Sequence, residues 1–184
     1  MPYISPHDNL TDRHMRQVAA IAGDLFDACA KLHGLGPKEG RLLRAAALLH
    51  DIGWVDGQQQ HHKRSMEMIY SDPPKGLSPR EVAIVANVAR YHRKTVPKES
   101  HLRFAALSER DRGIVLRLAA LIRVADGLDR THGSLVRVLG CDVSGDRAII
   151  RLSCLGDCSE ELAEATDKGD LFENVFGKTV TFVR

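Results

Sequence analysis

The chain has 184 residues, of which 43% are hydrophobic and 27% charged, and its formal net charge at pH 7 is +2. This composition is typical of a folded globular protein with one substantial core, and it excludes a disordered chain. So small a positive charge does not indicate a specific nucleic-acid partner. No segment approaches the roughly 20 apolar residues that cross a membrane, and residues 1–12 lack the pattern of a secretory signal. We therefore expect a cytoplasmic protein that binds no membrane.

Apolar periodicity predicts a mainly α-helical chain with a small appendage. The predicted helices span about 8–35, 37–51, 61–70, 78–93 and 108–130. After Gly133 the sequence alternates, which predicts strands at about 135–139, 148–152 and 179–183 and a last helix over about 158–175. We therefore predict a helical domain over 1–133, built as a bundle, and a β-β-α-β appendage over 134–184.

Several polar residues fall on the apolar faces of these helices. His14, for example, shares the helical stripe of Val18 and Ile21. The set consists of His14, His50, His62, His92 and Asp126, with Asp51 directly after His50. One inward histidine is usually satisfied by a nearby carbonyl or carboxylate. Four histidines and two carboxylates on five helices are better explained by convergence at one centre.

A metal centre would stabilise such a cluster. Imidazole and carboxylate together suit zinc, manganese, iron, cobalt or nickel, whereas calcium prefers oxygen ligands, and the sequence does not choose among the former. We predict two divalent transition metal ions. The first would be held by His14, His50, Asp51 and Asp126, and the second by His62, His92 and the bridging Asp51. His61 is the alternative to His62, and Asp129 is either a ligand or a group that orients one.

The predicted centre favours hydrolysis of a phosphate. Two metal ions a few ångströms apart generate hydroxide from water and bind the attacking and leaving oxygens, so Asp51 and His50 are the predicted catalytic residues. Cationic side chains near the ligands would bind an anionic substrate; the candidates are Lys63, Arg90, Arg93 and Lys94, with Arg123 and Arg130 near Asp126. The alternative is that these charges lie on solvated helix faces. Trp54 either lines the site or is simply packed.

The cysteines predict no metal site. The four residues, Cys29, Cys141, Cys154 and Cys158, are widely spaced except for the last pair. Three residues separate that pair and no second Cys or His pair lies nearby, so it makes a poor zinc site. We expect reduced thiols.

The ligand pattern resembles a known superfamily. His14, His50-Asp51 and Asp126 match the signature of the HD-domain metal-dependent phosphohydrolases, and His62 and His92 match the additional histidines of their two-metal members. The similarity is closest to the C-terminal HD-like region of the exopolyphosphatase/guanosine-pentaphosphate phosphatase (Ppx/GppA) family. The segments that carry it are 25–27, 31–35, 45–53, 61–65, 89–94 and 171–177. The resemblance implies an HD-domain helical bundle and covers nearly the whole chain.

The resemblance leaves the function of the chain open. In the Ppx/GppA family an N-terminal pair of actin-like domains hydrolyses polyphosphate, and the 184 residues contain no counterpart, so we expect a standalone chain to which those catalytic residues do not transfer. The HD-like region of that family often lacks a full ligand set and serves in dimerisation or polyphosphate binding. The full set here favours a phosphohydrolase acting on a nucleotide or other phosphorylated small molecule. The alternatives are a regulatory or polyphosphate-binding module and a purely structural metal site. A homodimer is also left open.

Overall fold

The computed structural model describes residues 6–57 and 59–184 of the chain. Its helices, in chain order, are α1 (Pro6–Ala28), α2 (Ala30–His33), α3 (Pro37–Leu49), the 3₁₀ helix η1 (Ile52–Asp56), α4 (His61–Ser71), α5 (Pro79–Arg90), α6 (Leu102–Ala105), α7 (Glu109–Gly127), α8 (Ser159–Asp167) and α9 (Asp170–Phe176). The strands are β1 (Val136–Ser144), β2 (Arg147–Cys154) and β3 (Thr179–Val183).

Local capping explains where the core helices begin. Ser78 and Glu81 form a capping box at the start of α5, where Pro79 supplies a favourable first residue. The Ser108 side chain accepts a hydrogen bond from the Asp111 backbone N–H at the start of α7. These helices therefore start where the sequence predicts them to.

Helix α7 forms the centre of the bundle. Its residues from Leu118 to Gly127 are all buried, which is expected of a helix surrounded by other elements. Helices α1, α3, α5, α8 and α9 all pack against it. The end of α7 is therefore enclosed by elements from both halves of the chain.

The appendage is a three-stranded sheet with two helices. β1 pairs antiparallel with β2, which pairs parallel with β3, and β1 packs on α1. Val136, Ala148 and Ile150 belong to the same buried apolar cluster as the bundle. The predicted fold class, a mainly helical chain with a C-terminal sheet, is confirmed. The division at residues 133 and 134 stays a prediction.

Two predictions about the appendage are wrong. The last helix is not continuous, because α8 ends at Asp167 and α9 starts at Asp170. The bend contains Gly169, where a side chain would lie 2.7 Å from a methyl carbon of Val180, so this position packs against β3 too closely for a larger residue. In addition, Cys154 and Cys158 form a disulfide rather than reduced thiols, while Cys29 and Cys141 are free.

No helix among the described residues is long and apolar enough to span a membrane. The expectation about a secretory signal concerned residues 1–12, of which the first five lie outside the described part of the chain.

Candidate metal centre

Six buried polar side chains meet near the middle of the bundle. They come from α1, from the end of α3, from the start of α4, from the residue after the α5 cap and from the end of α7; the residues are His14, His50, Asp51, His61, His92 and Asp126. Each is no more than 9% exposed. Ionisable groups so far from water need partners of opposite charge or metal ions.

Two of the histidines are oriented in the same way at helix ends. His50 caps α3, and its Nδ1 lies 2.7 Å from the carbonyl oxygen of Ala47. His92 follows the α5 cap, and its Nδ1 lies 2.7 Å from the carbonyl oxygen of Ala89. A carbonyl oxygen only accepts, so Nδ1 donates and Nε2 of the neutral ring carries a lone pair. Both lone pairs face the cluster.

His14 is oriented by a carboxylate instead. Its Nδ1 lies 2.8 Å from Oδ2 of Asp129, whose Oδ1 accepts a hydrogen bond from the Ser134 backbone N–H at 2.8 Å. The second ring nitrogen, Nε2, lies 3.2 Å from Oδ1 of Asp126. Asp129 therefore orients His14, which is the second of the two roles that the sequence left open.

The first half of the cluster involves His14, His50, Asp51 and Asp126. His50 Nε2 lies 3.6 Å from Oδ1 of Asp126 and 3.6 Å from Oδ2 of Asp51. Buried as it is, His50 Nε2 has no hydrogen-bond partner among the described residues. Atoms that share one ion through bonds of about 2.1 Å lie about 3.0 to 3.4 Å apart. The spacing of these atoms is close to that of a common coordination sphere.

The second half is built on the other oxygen of Asp51. Oδ1 lies 3.1 Å from Nε2 of His61 and 3.5 Å from Nε2 of His92, and the two nitrogens are 3.3 Å apart. Each oxygen of Asp51 therefore faces a different group of histidines.

The histidine beside Asp51 is His61, whereas the sequence analysis placed His62 there. The His62 ring is buried, but its centroid lies 5.8 Å from that of His61 and 6.5 Å from that of His92, behind the cluster. Helix α4 begins at His61, directly after Gln60 in the left-handed conformation. The direction of the first helical side chain depends on that entry, which helical periodicity does not describe.

Burial and charge shift several pKa values in this cluster. Burial lowers the pKa of His14, but hydrogen bonds to Asp126 and Asp129 outweigh it and raise the pKa to about 9. Burial lowers the pKa of His50, but the carboxylates of Asp51 and Asp126 outweigh it and raise that pKa. Burial and the charge of protonated His50 lower the pKa of His92 to about 3. Burial raises the pKa of Asp51 and that of Asp126, but the neighbouring cations lower both below their usual range. Both carboxylates are therefore ionised at neutral pH.

The cluster opens into a cavity of about 640 Å³. The walls include Trp54, Arg93, Lys94, Arg123, Arg130 and Lys168. Trp54 lies in η1, and its ring centroid is 5.3 Å from that of His61. A larger groove of about 1100 Å³ lies beside α6 and α7 and includes none of the cluster residues. A ligand would therefore reach the cluster through the smaller cavity rather than through the larger groove.

Only part of the predicted substrate clamp lies in this cavity. Arg93 and Lys94 line it, and within the described chain neither has an ion-pair partner. The structure does not bring Lys63 and Arg90 to the walls. Lys63 is exposed and donates to the Gln60 side chain at 3.3 Å, while Arg90 lies over the Tyr91 ring, 5.4 Å from its centroid.

Lys168 is one of several residues at the cavity that have no counterpart among the predicted ligands and clamp residues. Lys168, between α8 and α9, donates through Nζ to Oδ2 of Asp126 at 2.6 Å. The sequence separation is 42 residues, and a single lysine in a charged helical segment gives no signal of such a contact. Sequence reasoning therefore missed it.

The fold and the site define a class of protein: an α-helical bundle whose buried His/Asp groups are able to hold metal ions. The comparison with known families agrees with the resemblance noted above. The chain belongs to the Ppx/GppA phosphatase, domain III, family, which it matches over residues 8–164. A search of curated proteins finds no match.

Proposed function

We propose that this protein is a metal-dependent phosphohydrolase with a dinuclear centre. Its substrate would be a phosphoester or phosphoanhydride, such as a nucleotide or another phosphorylated small molecule. His14, His50, Asp51 and Asp126 would hold one ion, and Asp51, His61 and His92 the other. His61 here replaces His62, on the distances given above.

One observation carries the proposal. His50 and His92 each use Nδ1 as a hydrogen-bond donor, so that Nε2 of each ring faces the oxygens of Asp51 and, when the ring is neutral, directs a lone pair at them. A lone pair that faces a carboxylate is repelled unless a cation lies between them. A proton or a metal ion would relieve this repulsion, and only a metal ion can bind several of the groups at once.

The chain itself would orient both the ions and the substrate. Asp129 and the carbonyl oxygens of Ala47 and Ala89 fix the three imidazole rings, so little reorganisation is needed when an ion binds. Arg93 and Lys94, which line the cavity without an ion-pair partner among the described residues, are available to phosphate oxygens. When bound, the two ions would supply the activation of water and the neutralisation of phosphate charge.

A second function is favoured by the family. Because the chain belongs to domain III of the Ppx/GppA phosphatases, it is also a candidate for a regulatory module that binds polyphosphate without hydrolysing it. The cavity cations Arg93 and Lys94 suit either function. The two candidates differ in whether phosphate is released.

The test begins with the metal content of the purified protein. Metal-free protein is then restored with Mn²⁺, Co²⁺, Ni²⁺ or Zn²⁺ and screened against p-nitrophenyl phosphate, nucleotides, cyclic nucleotides, guanosine tetraphosphate and pentaphosphate, and polyphosphate. We expect metal-dependent phosphate release that Asp51→Asn lowers at least about 100-fold, since even groups that only orient a ligand contribute 10- to 100-fold. The exposed Asp142→Asn is the matched control.

A protein that holds no metal and is inert in all four metals would refute the proposal. Polyphosphate binding without phosphate release would instead support the second candidate.

A further inference from the structure

Lys168 reaches the metal centre from the appendage. It lies where the chain bends between α8 and α9, and its side chain is only 15% exposed. Nζ lies 2.6 Å from Oδ2 of Asp126 and 3.1 Å from Oε1 of Glu164. The family match ends at residue 164, before this bend.

The bend is held firmly against α7. Arg123, which is 4% exposed, pairs with Asp170 at 2.6 Å and also donates to the backbone carbonyls of Lys168 and Lys94. A side chain at Gly127 would lie 2.7 Å from the Cα of Ala165, so α8 packs directly on the backbone of α7. The backbone that carries Lys168 is therefore fixed against α7.

The contact with Lys168 gives the two carboxylate oxygens of Asp126 different partners. Oδ1 faces Nε2 of His14 at 3.2 Å and Nε2 of His50 at 3.6 Å. Oδ2 is occupied by the ammonium group of Lys168. While that ion pair persists, an ion between His14 and His50 has access to one oxygen of Asp126 only.

We propose that Lys168 is a positioning residue of the metal centre, which makes Asp126 a ligand through one oxygen and leaves a coordination position for water or substrate. This inference rests on the metal ions of the proposed function but not on hydrolysis. The competing explanation is that the ion pair only fastens the appendage to the bundle, as Arg123 and Asp170 do.

Co²⁺ bound to the full chain tests the proposal, because its visible absorption reports coordination number and geometry. In Lys168→Met, Asp126 is free to bind through both oxygens, so we expect a weaker and shifted Co²⁺ band. Lys168→Arg keeps a cationic donor beside Oδ2 and should restore the wild-type band. Asp170→Asn removes a fastening pair without touching Asp126 and should keep the wild-type band.

Three outcomes would overturn the inference: an identical band in Lys168→Met and wild type, the same shift in Asp170→Asn as in Lys168→Met, or no Co²⁺ binding by the wild type. A crystal structure of the Co²⁺-loaded wild type provides a test that needs no variant. Asp126 bound through one oxygen, with Lys168 on the other, is the expected result, and Asp126 bound through both oxygens would refute it. Co²⁺ binding without any hydrolysis would refute the proposed function alone.

Discussion

Hydrogen bonds on the outer nitrogen of each imidazole determine which atom faces the cluster. His50 and His92 use backbone carbonyls three residues back, whereas His14 uses the carboxylate of Asp129. A carboxylate partner makes the ring a stronger base than a carbonyl partner does. The raised pKa of His14 and the lowered pKa of His92 follow this difference, whereas Asp51 and Asp126 raise the pKa of His50 despite its carbonyl partner.

The two adjacent histidines of α4 give a paired prediction. His61→Ala should lose about one metal ion per chain, because Nε2 of His61 lies 3.1 Å from Asp51. His62→Ala should keep the wild-type content, since its ring lies behind the cluster. Metal analysis after dialysis measures both, and each variant is the control for the other. The reverse pattern would restore His62 as the ligand.

Stability of the metal-free protein should pass through a maximum near pH 6.5 to 7. Below this range the unfolded chain binds protons at His62 and His92 near pH 6.5, whereas the folded protein accepts them only near pH 4 and pH 3, so stability falls as pH falls. Above it, the folded protein keeps the His14 proton up to about pH 9 while the unfolded chain has lost it, so stability falls as pH rises.

Urea unfolding in a chelator between pH 4 and pH 9.5 measures this profile. His14→Gln should reduce the alkaline decline, to which His50 with its raised pKa also contributes, and should keep the acid one. Metal ions should also remove the alkaline decline, because they bind the deprotonated imidazole. A flat profile above pH 7 in the metal-free wild type would contradict the prediction.

Helical periodicity located much of the site but not its details. His14, His50, His92 and Asp126 follow helical stripes, so their inward direction was predictable from residues of the same helix. The position of His61 depends on the backbone of Gln60 before the helix begins. Lys168, Arg123 and the position of Arg90 depend on packing between distant segments, which no local pattern contains.

At the scale of elements, all six cluster residues except His14 lie at or beside the end of a helix. His50 caps α3, His92 follows the α5 cap, and Asp126 is next to the last residue of α7. The last carbonyls of a helix have no partner within it, but His50 and His92 bind carbonyls within their final turns. Helix ends also allow the chain to turn away, so that several elements approach one point.

The contact between η1 and α4 gives a prediction at this scale. A Cβ at Gly53 would lie 2.4 Å from the His61 carbonyl oxygen and 2.6 Å from the Ser65 nitrogen, both of which are backbone atoms. Gly53→Ala should therefore cost about 1–3 kcal/mol of stability and weaken metal binding, because His61 must shift. Denaturant unfolding and metal analysis measure the two effects.

Gly113→Ala in α7 is the matched control. Its Cβ would meet nothing closer than the Arg117 side chain at 3.7 Å, so alanine should stabilise the helix by up to about 1 kcal/mol. Equal effects of the two substitutions would contradict the role of close packing at Gly53.

Element types were more predictable than element boundaries. Capping signals such as Ser78 and Ser108 fixed the starts of α5 and α7. The bend between α8 and α9 was missed; at this bend Gly169 lies close to Val180 in β3, a strand that follows in the chain. A pattern within one helix carries no information about such a contact.

For the whole molecule, the cluster joins residues from five helices that also share one apolar core. Ions that bind only the folded chain should therefore raise its free energy of unfolding, by about 2.7 kcal/mol at a free concentration 100 times the Kd. We expect a clear rise in Tm with Mn²⁺, Co²⁺ or Zn²⁺. Calcium is the control ion, since the histidine-rich cluster does not suit it.

Asp51→Asn should abolish that rise in Tm, while Asp142→Asn should preserve it. A Tm that is independent of every transition metal in the wild type would contradict a metal centre in the bundle. Equal responses of the two variants would show that the ions bind elsewhere.

The shared carboxylate has a consequence for how this centre changes through evolution or design. Asp51 directs one oxygen toward His14 and His50 and the other toward His61 and His92. Rotating the carboxylate to improve its fit on one side must worsen its fit on the other. A substitution that alters the metal selectivity of one half of the cluster will therefore also affect the other half. We expect the two halves to change together in evolution or design.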